Sequence, residues 1–371
     1  MNALKHVVLA GVLASLLGCP AGDEGKQPQG GSSGGGEPAG GTSGGGAAEP
    51  GVFTKSMQEW AKTNLGALPD VAESASNPLS QEKVDLGRIL YYDTRFSPNH
   101  DVSCNTCHEL TRYGIDVRDD NAVSMGHKNQ KGTRNAPTVF NAAFHTSQFW
   151  DGREPDVEHQ ALGPLINPVE HAMVDHGAVI GIVNTIPGYA ELFQAAFPDD
   201  EQPVTIENFG KAVGAFERML VTPSPFDAFV NGDFSALTEE QIEGIGVYKD
   251  HGCITCHAGP SLGGNMKQKL GLKAPYKVDG KVHPDNGTEF KVPGLRNVAE
   301  TAPYLHDGSV KDLTTVVKGM AEYQAGMSLS DDDAAKLVAF LQSLTGTVDE
   351  EFVKKPELPE SGPDTPQPDP K

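Results

Sequence analysis

The chain has 371 residues, and the roughly 300 that lie between its two low-complexity ends are enough for two domains of ordinary size, each with its own core. A formal net charge of −21 argues against a nucleic-acid binder and for a solvated acidic protein, one able to steer a basic partner. Four of the five cysteines fall in one repeated pattern and the fifth in the leader, so no thiol remains for a structural disulfide.

Residues 1–18 read as an export signal. Lys5 supplies the positive start, Val7 to Leu17 an apolar core too short to span a bilayer, and Leu16-Leu17-Gly18-Cys19 a lipobox-like end. Cys19 is the expected lipidation site; ordinary signal cleavage is the competing reading, because Leu17 is unusual at its place in such a box. Residues 19–54, dominated by Gly, Ser, Pro and Glu, are expected to form a flexible tether. Pro20, standing where Asp would signal inner-membrane retention, points to the outer membrane.

The first domain is expected over residues 55–222. Leu86, Ile89 and Leu90 share one face of a helix that ends near Tyr92 and leads towards Cys104-Asn105-Thr106-Cys107-His108. In Cys-x-x-Cys-His each thiol can add across a vinyl group of one porphyrin, and the adjacent His is then held beneath the iron as its proximal ligand. A zinc site would need two more ligands close by, and a thioredoxin-like pair a βαβ context that is missing here. The pattern recurs as Cys253-Ile254-Thr255-Cys256-His257, and two copies, each with its His, point to two covalently bound c-type haems. Such haem is attached outside the bacterial cytoplasm, which agrees with the leader and implies a periplasmic protein.

The domains divide near Thr222-Pro223-Ser224-Pro225, and the second is expected over 223–347. Thr238 and Gln241 form a capping box, and Ile242, Ile245 and Tyr248 then share the face of a helix that delivers Cys253. Ser309 and Asp312 form a second candidate box ahead of Leu313, Val316, Val317 and Met320. Ser330 and three aspartates open a third helix that buries Leu337, Val338, Leu341 and Leu344. Alternating strand patterns are scarce. The expected fold is mainly α: two cytochrome c-like helical domains, each around one covalently bound haem, with long loops and little strand. Residues 348–371, rich in Pro and acid, are expected to be disordered.

The order of these motifs resembles the bacterial di-haem cytochrome c peroxidase family, to which the MauG-type di-haem enzymes that mature tryptophan tryptophylquinone are related. The resemblance runs from about Leu79 to Gly346. It rests on Asp85-Leu86-Gly87-Arg88, both haem motifs, Arg134-Asn135-Ala136-Pro137-Thr138, Gln148-Phe149-Trp150-Asp151-Gly152-Arg153, Ala161-Leu162-Gly163-Pro164, Asn167-Pro168-Val169-Glu170, Ala215-Phe216-Glu217-Arg218 and Thr301-Ala302-Pro303-Tyr304-Leu305-His306-Asp307-Gly308-Ser309.

The resemblance implies reduction of hydrogen peroxide by electrons from a small cytochrome c or cupredoxin, taken in at the C-terminal high-potential haem and passed to the N-terminal peroxidatic haem. It assigns Glu170 as acid/base, Gln160 as the residue that holds the peroxide and Trp150 as the path between the haems. His108 and His257 become proximal ligands. His127 matches a residue that in many members ligates the first iron at rest and must leave on reduction. Met320 matches the second haem's thioether ligand, where soft sulfur favours the reduced iron and where the maturation enzymes have a tyrosine. By spacing alone Met320 reads as readily as a core residue, with Met327 and Met266 as fallback ligands. The resemblance also implies Ca2+ at Asn135, Thr301 and Pro303, and a homodimer. After Glu170 many members have a methionine, whereas this chain has His171; with His145, His159 and His176 it is expected to be a solvent-facing histidine without a role.

Two other functions use the same frame. A MauG-like oxidase of a protein or organic substrate would follow if Met320 were not a ligand, and a non-catalytic electron carrier if both irons were permanently six-coordinate, which the Glu170 and Gln160 pocket argues against.

Overall fold

The computed structural model describes residues 50–118 and 122–369; the expected signal, Cys19 and nearly all of the tether lie outside them. The described chain forms α1 (Val52–Asn64), α2 (Gln81–Tyr92), α3 (Cys104–Cys107), α4 (Val157–Gln160), α5 (Gly163–Ile166), α6 (His176–Asn184), α7 (Pro187–Ala196), α8 (Ile206–Glu217), α9 (Pro225–Val230), α10 (Glu239–Asp250), α11 (Leu313–Gly319) and α12 (Asp331–Gln342). Among the described residues, strand is confined to two short antiparallel pairs, β1 (Lys267–Lys269) with β4 (Glu289–Lys291) and β2 (Lys277–Val278) with β3 (Lys281–Val282). The fold is mainly helical, as the sequence implied.

Two large cores organise these elements. In the first, α2 buries Leu86, Gly87, Leu90 and Tyr91 against α8, while α6 and α7 close the other side with Val179, Val183, Tyr189 and Phe193. Gly87 makes the α2–α8 approach possible, since a Cβ there would run into the carbonyl of Ala212. The second core repeats the device, with Gly244 of α10 lying against the carbonyl of Lys336 on α12. Thr238 and Gln241 make the expected capping box of α10, and Ser330 caps α12 by accepting from the Asp333 amide. The helix after Ser309 starts later than expected: Asp312 is itself the N-cap of α11, accepting from the Thr315 amide.

Buried ion pairs brace both cores: Arg218 with Glu158 at 2.7 Å and Arg95 with Asp93 at 2.6 Å beside the first, and Arg296 with Asp227 at 2.7 Å in the second. Their remaining donors are satisfied by carbonyls and side chains, as burial of charge requires.

The ends of the chain pack where the sequence did not place them. Expected as tether and first domain, α1 instead lays Met57, Ala61 and Leu65 into the second core, and Gln58 donates to the carbonyl of Val230 at 2.6 Å. The C-terminal segment expected to be disordered runs along the first core. Val353 is 1% exposed and Phe352 packs on Phe216; Arg88 donates to the carbonyl of Lys354 at 2.6 Å, and Arg95 to the carbonyl of Pro359 at 2.9 Å and the hydroxyl oxygen of Ser361 at 3.1 Å. A Pro-rich strand needs no helix or sheet when arginines of the domain bond its free carbonyls.

Candidate functional site

The first haem motif is one helical turn, α3, fixed at its start by a Ser103–Thr106 capping box. Tyr91 of α2 donates its hydroxyl to the His108 carbonyl at 2.8 Å, so the core helix sets where the motif sits. His108 Nδ1 donates to the carbonyl of Pro137 at 2.9 Å, which leaves Nε2 with its lone pair free. Burial lowers the His108 pKa and so keeps the imidazole neutral, the form that binds a metal.

The second motif is built the same way. Gly252, in the left-handed region at φ 70°, ends the α10 turn and turns the chain into Cys253–Thr255; Tyr248 of α10 donates to the His257 carbonyl. His257 Nδ1 donates to the carbonyl of Leu262 at 3.1 Å, again freeing Nε2, and burial lowers its pKa. All four thiols are free, and burial pushes each of them up, Cys253 to about 11.

Around the first motif the structure joins His127 to Glu170: the His127 amide donates to the Glu170 carbonyl at 2.8 Å. Gly126 allows this, because a Cβ there would clash with the carbonyls of Val169 and Glu170. His127 is 6% exposed, and its Nδ1 is buried without a hydrogen-bond partner. Glu170 is half-buried, and desolvation raises its pKa against the opposing pull of Arg153 and Asn167. Gln160 closes α4, half-buried, with its amide N–H bonded to the Asp156 carbonyl.

Trp150 is held from both halves of the chain. Its Nε1 donates to the carbonyl of Asn135 at 2.9 Å, and its own carbonyl accepts from the Lys291 amide of β4 at 2.7 Å. Its ring lies edge-on to His306 at 6.3 Å. Met320 begins a π-helical turn, Met320–Ala325, directly after α11, and is half-buried beside the small third cluster. Its fallbacks Met327 and Met266 are 41% and 39% exposed. Of the residues implied for calcium, Asn135 donates its amide to the His306 carbonyl at 2.9 Å and its side chain to the Ala122 carbonyl at 3.0 Å; Thr301 and Pro303 precede His306 in the same loop, the Ala302–Pro303 bond being cis.

Sequence reasoning missed three things here. His171 is 4% exposed, not solvent-facing: Nδ1 donates to the Phe96 carbonyl at 3.1 Å, and burial lowers its pKa to about 4, with His108 close enough to lower it further. His176, likewise, is half-buried and donates to the Leu162 carbonyl at 3.1 Å, while His159 alone is exposed, paired with Asp156. Lys291 is a buried cation, 7% exposed, whose amine meets His145 Nδ1 at 3.3 Å; burial lowers the lysine to about 8 and the histidine to about 3. Finally His283 bonds Asp307 at 2.9 Å and His306 bonds Asp285 at 2.8 Å, a network that joins residues over 20 positions apart, of which only His306 and Asp307 stood in a motif.

These donor sets suit haem. Each motif offers two protonated thiols for thioether bonds and one neutral imidazole with a free Nε2, while the His127 Nδ1, without a partner among the described residues, is a polar group left for a bound group to satisfy. The chain is a di-haem c-type cytochrome. Residues 81–235 match the family model of the di-haem cytochrome c peroxidases, and residues 237–345 that of cytochrome c. The chain is 40% identical over 305 residues to the cytochrome c551 peroxidase of Nitrosomonas europaea, covering 80% of this chain and 89% of that one. It is 40% identical over 336 residues to the cytochrome c551 peroxidase of Pseudomonas aeruginosa (86% and 95%), and 32% identical over 289 residues to the methylamine utilization protein MauG of Methylophilus methylotrophus (73% and 84%). Among solved structures, a MauG-like protein associated with microbial copper homeostasis superposes with a TM-score of 0.67 at 28% identity, over 78% of this chain and 97% of that one. The chain therefore belongs to the di-haem cytochrome c peroxidase family.

Proposed function

We propose that the chain is a cytochrome c peroxidase that reduces hydrogen peroxide to two waters, consuming two electrons and two protons. The bound haems supply electron storage and an iron at which the peroxide bond can break. The chain's own residues supply proton management, positioning and gating. Cys104, Cys107 and His108 hold the N-terminal haem, and Cys253, Cys256, His257 and Met320 the C-terminal one.

The observation that carries the reading is Glu170, half-buried beside the first motif with a raised pKa. A raised pKa makes the ionised carboxylate a stronger base than an exposed glutamate, so it can take the proton from one peroxide oxygen and, as the acid so formed, return it to the departing one. Gln160 holds the peroxide by hydrogen bonds, and Trp150, tied to Asn135 on one side and β4 on the other, lies on the electron path. His127 is the gate: its backbone bond to Glu170 couples any withdrawal of the imidazole to the acid/base itself. Met320, where the quinone-maturing enzymes carry tyrosine, favours peroxidase over oxidase chemistry.

Calcium is held near Asn135, Thr301 and Pro303, where backbone carbonyls and an amide oxygen suit a hard cation. Export, lipidation at Cys19, anchoring to the periplasmic face of the outer membrane and a homodimer complete the proposal, supported by the leader sequence and the resemblance. The donor is a small cytochrome c or cupredoxin.

The test is stopped-flow absorbance of the haem-loaded soluble domain with peroxide, comparing the oxidised and half-reduced forms and Glu170→Gln. Fast consumption after half-reduction, slowed about 10²- to 10⁴-fold in the variant, is expected. Inert oxidised and half-reduced forms would leave an electron carrier.

A further inference from the structure

Resting on the reading that electrons arrive at the C-terminal haem, we infer that the exposed face built by β1, the β2–β3 hairpin and the loop after the Met320 turn docks a small redox protein whose contact face is acidic. The chain as a whole carries −21, yet between residues 261 and 284 it holds five lysines and one aspartate, a local excess of four positive charges. Lys267, Lys269, Lys273, Lys277 and Lys281 are all exposed, and none has a carboxylate within ion-pair distance among the described residues. Asp279 lies among the lysines, Glu289 faces Lys269 across the β1–β4 pair, and Glu322 lies in the adjoining turn; Asp285, four residues after Lys281, and Asp151, beside the Lys267 stem, are already paired with Arg134 and Arg153, so the excess stays positive.

This charge is placed where it matters. The Gly271 and Leu272 amides donate to Gln324 Oε1 at 2.7 Å, Gln324 donates to the Lys269 carbonyl at 3.1 Å, and the Lys273 amide donates to the Tyr323 carbonyl at 2.9 Å. The lysine segment is thereby strapped to the π-helical turn that Met320 opens. Beside it lie two exposed apolar side chains, Leu272 at 43% and Met327 at 41%; the stem of Lys273 packs against Gly326, next to Met327. Exposed apolar side chains interspersed with charges of one sign suit a transient docking face.

The net charge suggests a basic partner; the local charge reverses that. At about 0.15 M salt the Debye length is about 8 Å, so a partner in contact responds to the lysines beneath it, while the spread negative charge is largely screened. At low salt the whole-protein field repels an acidic donor. Its reaction rate should therefore rise with ionic strength at first and then fall as the local attraction is screened in turn.

The experiment measures reduction of the C-terminal haem in the haem-loaded chain, without peroxide, by a reduced acidic small cytochrome c and by a reduced basic mitochondrial-type cytochrome c. One electron passes from donor to haem, and its rate is read by stopped flow. In Lys269→Glu/Lys273→Glu the second-order rate with the acidic donor should drop at least tenfold at 0.15 M salt and lose its falling limb. Lys62→Glu/Lys249→Glu, with the same change of total charge on α1 and α10, should retain wild-type behaviour, and both variants should be reduced equally fast by ascorbate with a small mediator. Equal loss in the two variants, no loss in either, or faster reduction of the wild type by the basic donor would overturn the inference. Failed peroxide turnover with normal reduction would instead count against the peroxidase reading and leave this surface standing.

Discussion

Glu217 makes the sharpest thermodynamic prediction. It is 5% exposed on α8, between the core and the buried Arg218–Glu158 pair, and burial first, then the Glu158 charge, pushes its carboxyl up to about 8. In the unfolded chain an ordinary glutamate loses its proton near 4.5, so between that value and about 8 the folded state holds a proton that the unfolded state has released. Stability therefore falls as pH rises across this window, and is fully present only below it. At about 1.4 kcal/mol per pH unit, the displacement from 4.5 to about 8 amounts to about 5 kcal/mol. Glu217→Gln keeps the shape and removes the titration. Guanidinium unfolding of the haem-loaded wild type and variant at several pH values should show the variant gaining on the wild type by several kcal/mol from pH 5 to pH 8. Comparing the two proteins cancels the titrating groups that do not interact with Glu217. Parallel stability curves would refute the argument and mean that Glu217 ionises in place, charged and solvated.

His171 behaves oppositely: with its imidazole held near 4 against an ordinary 6.5, stability is present above 6.5 and lost as pH falls towards 4, by about 3 kcal/mol, and His171→Gln should abolish that loss in acid unfolding curves. Glu158→Ala strands Arg218, whose side chain is 7% exposed, and should cost about 3–5 kcal/mol by chemical denaturation, far more than loss of the exposed Arg153–Asp151 pair. Gly87→Ala forces a methyl group against the Ala212 carbonyl and should cost about 1–3 kcal/mol in a melt that leaves the second core's spectroscopic signature unchanged.

What the sequence could reveal was whatever chemistry confines to a few consecutive residues. Haem attachment needs two thiols and an imidazole within one turn, and capping needs a hydroxyl and an acceptor three residues apart, so both motifs and the helix starts at Thr238 and Ser330 were legible. The site's electrostatics were not, because they depend on partners brought from afar. His171 looked like a loop histidine until the Phe96 carbonyl, 75 positions away, fixed its ring in the interior. The tail looked disordered by composition, yet Arg88 and Arg95 reach it across more than 260 positions, and no local pattern records that. The same holds for charge. A total of −21 describes the long-range field at low salt, whereas recognition at contact is decided by which residues a strap such as Gln324 gathers on one face. A partner inferred from net charge and one inferred from the Lys269–Lys273 face thus differ in sign, and the ionic-strength profile of electron transfer separates them: a basic donor slows monotonically with salt, while an acidic one passes through a maximum.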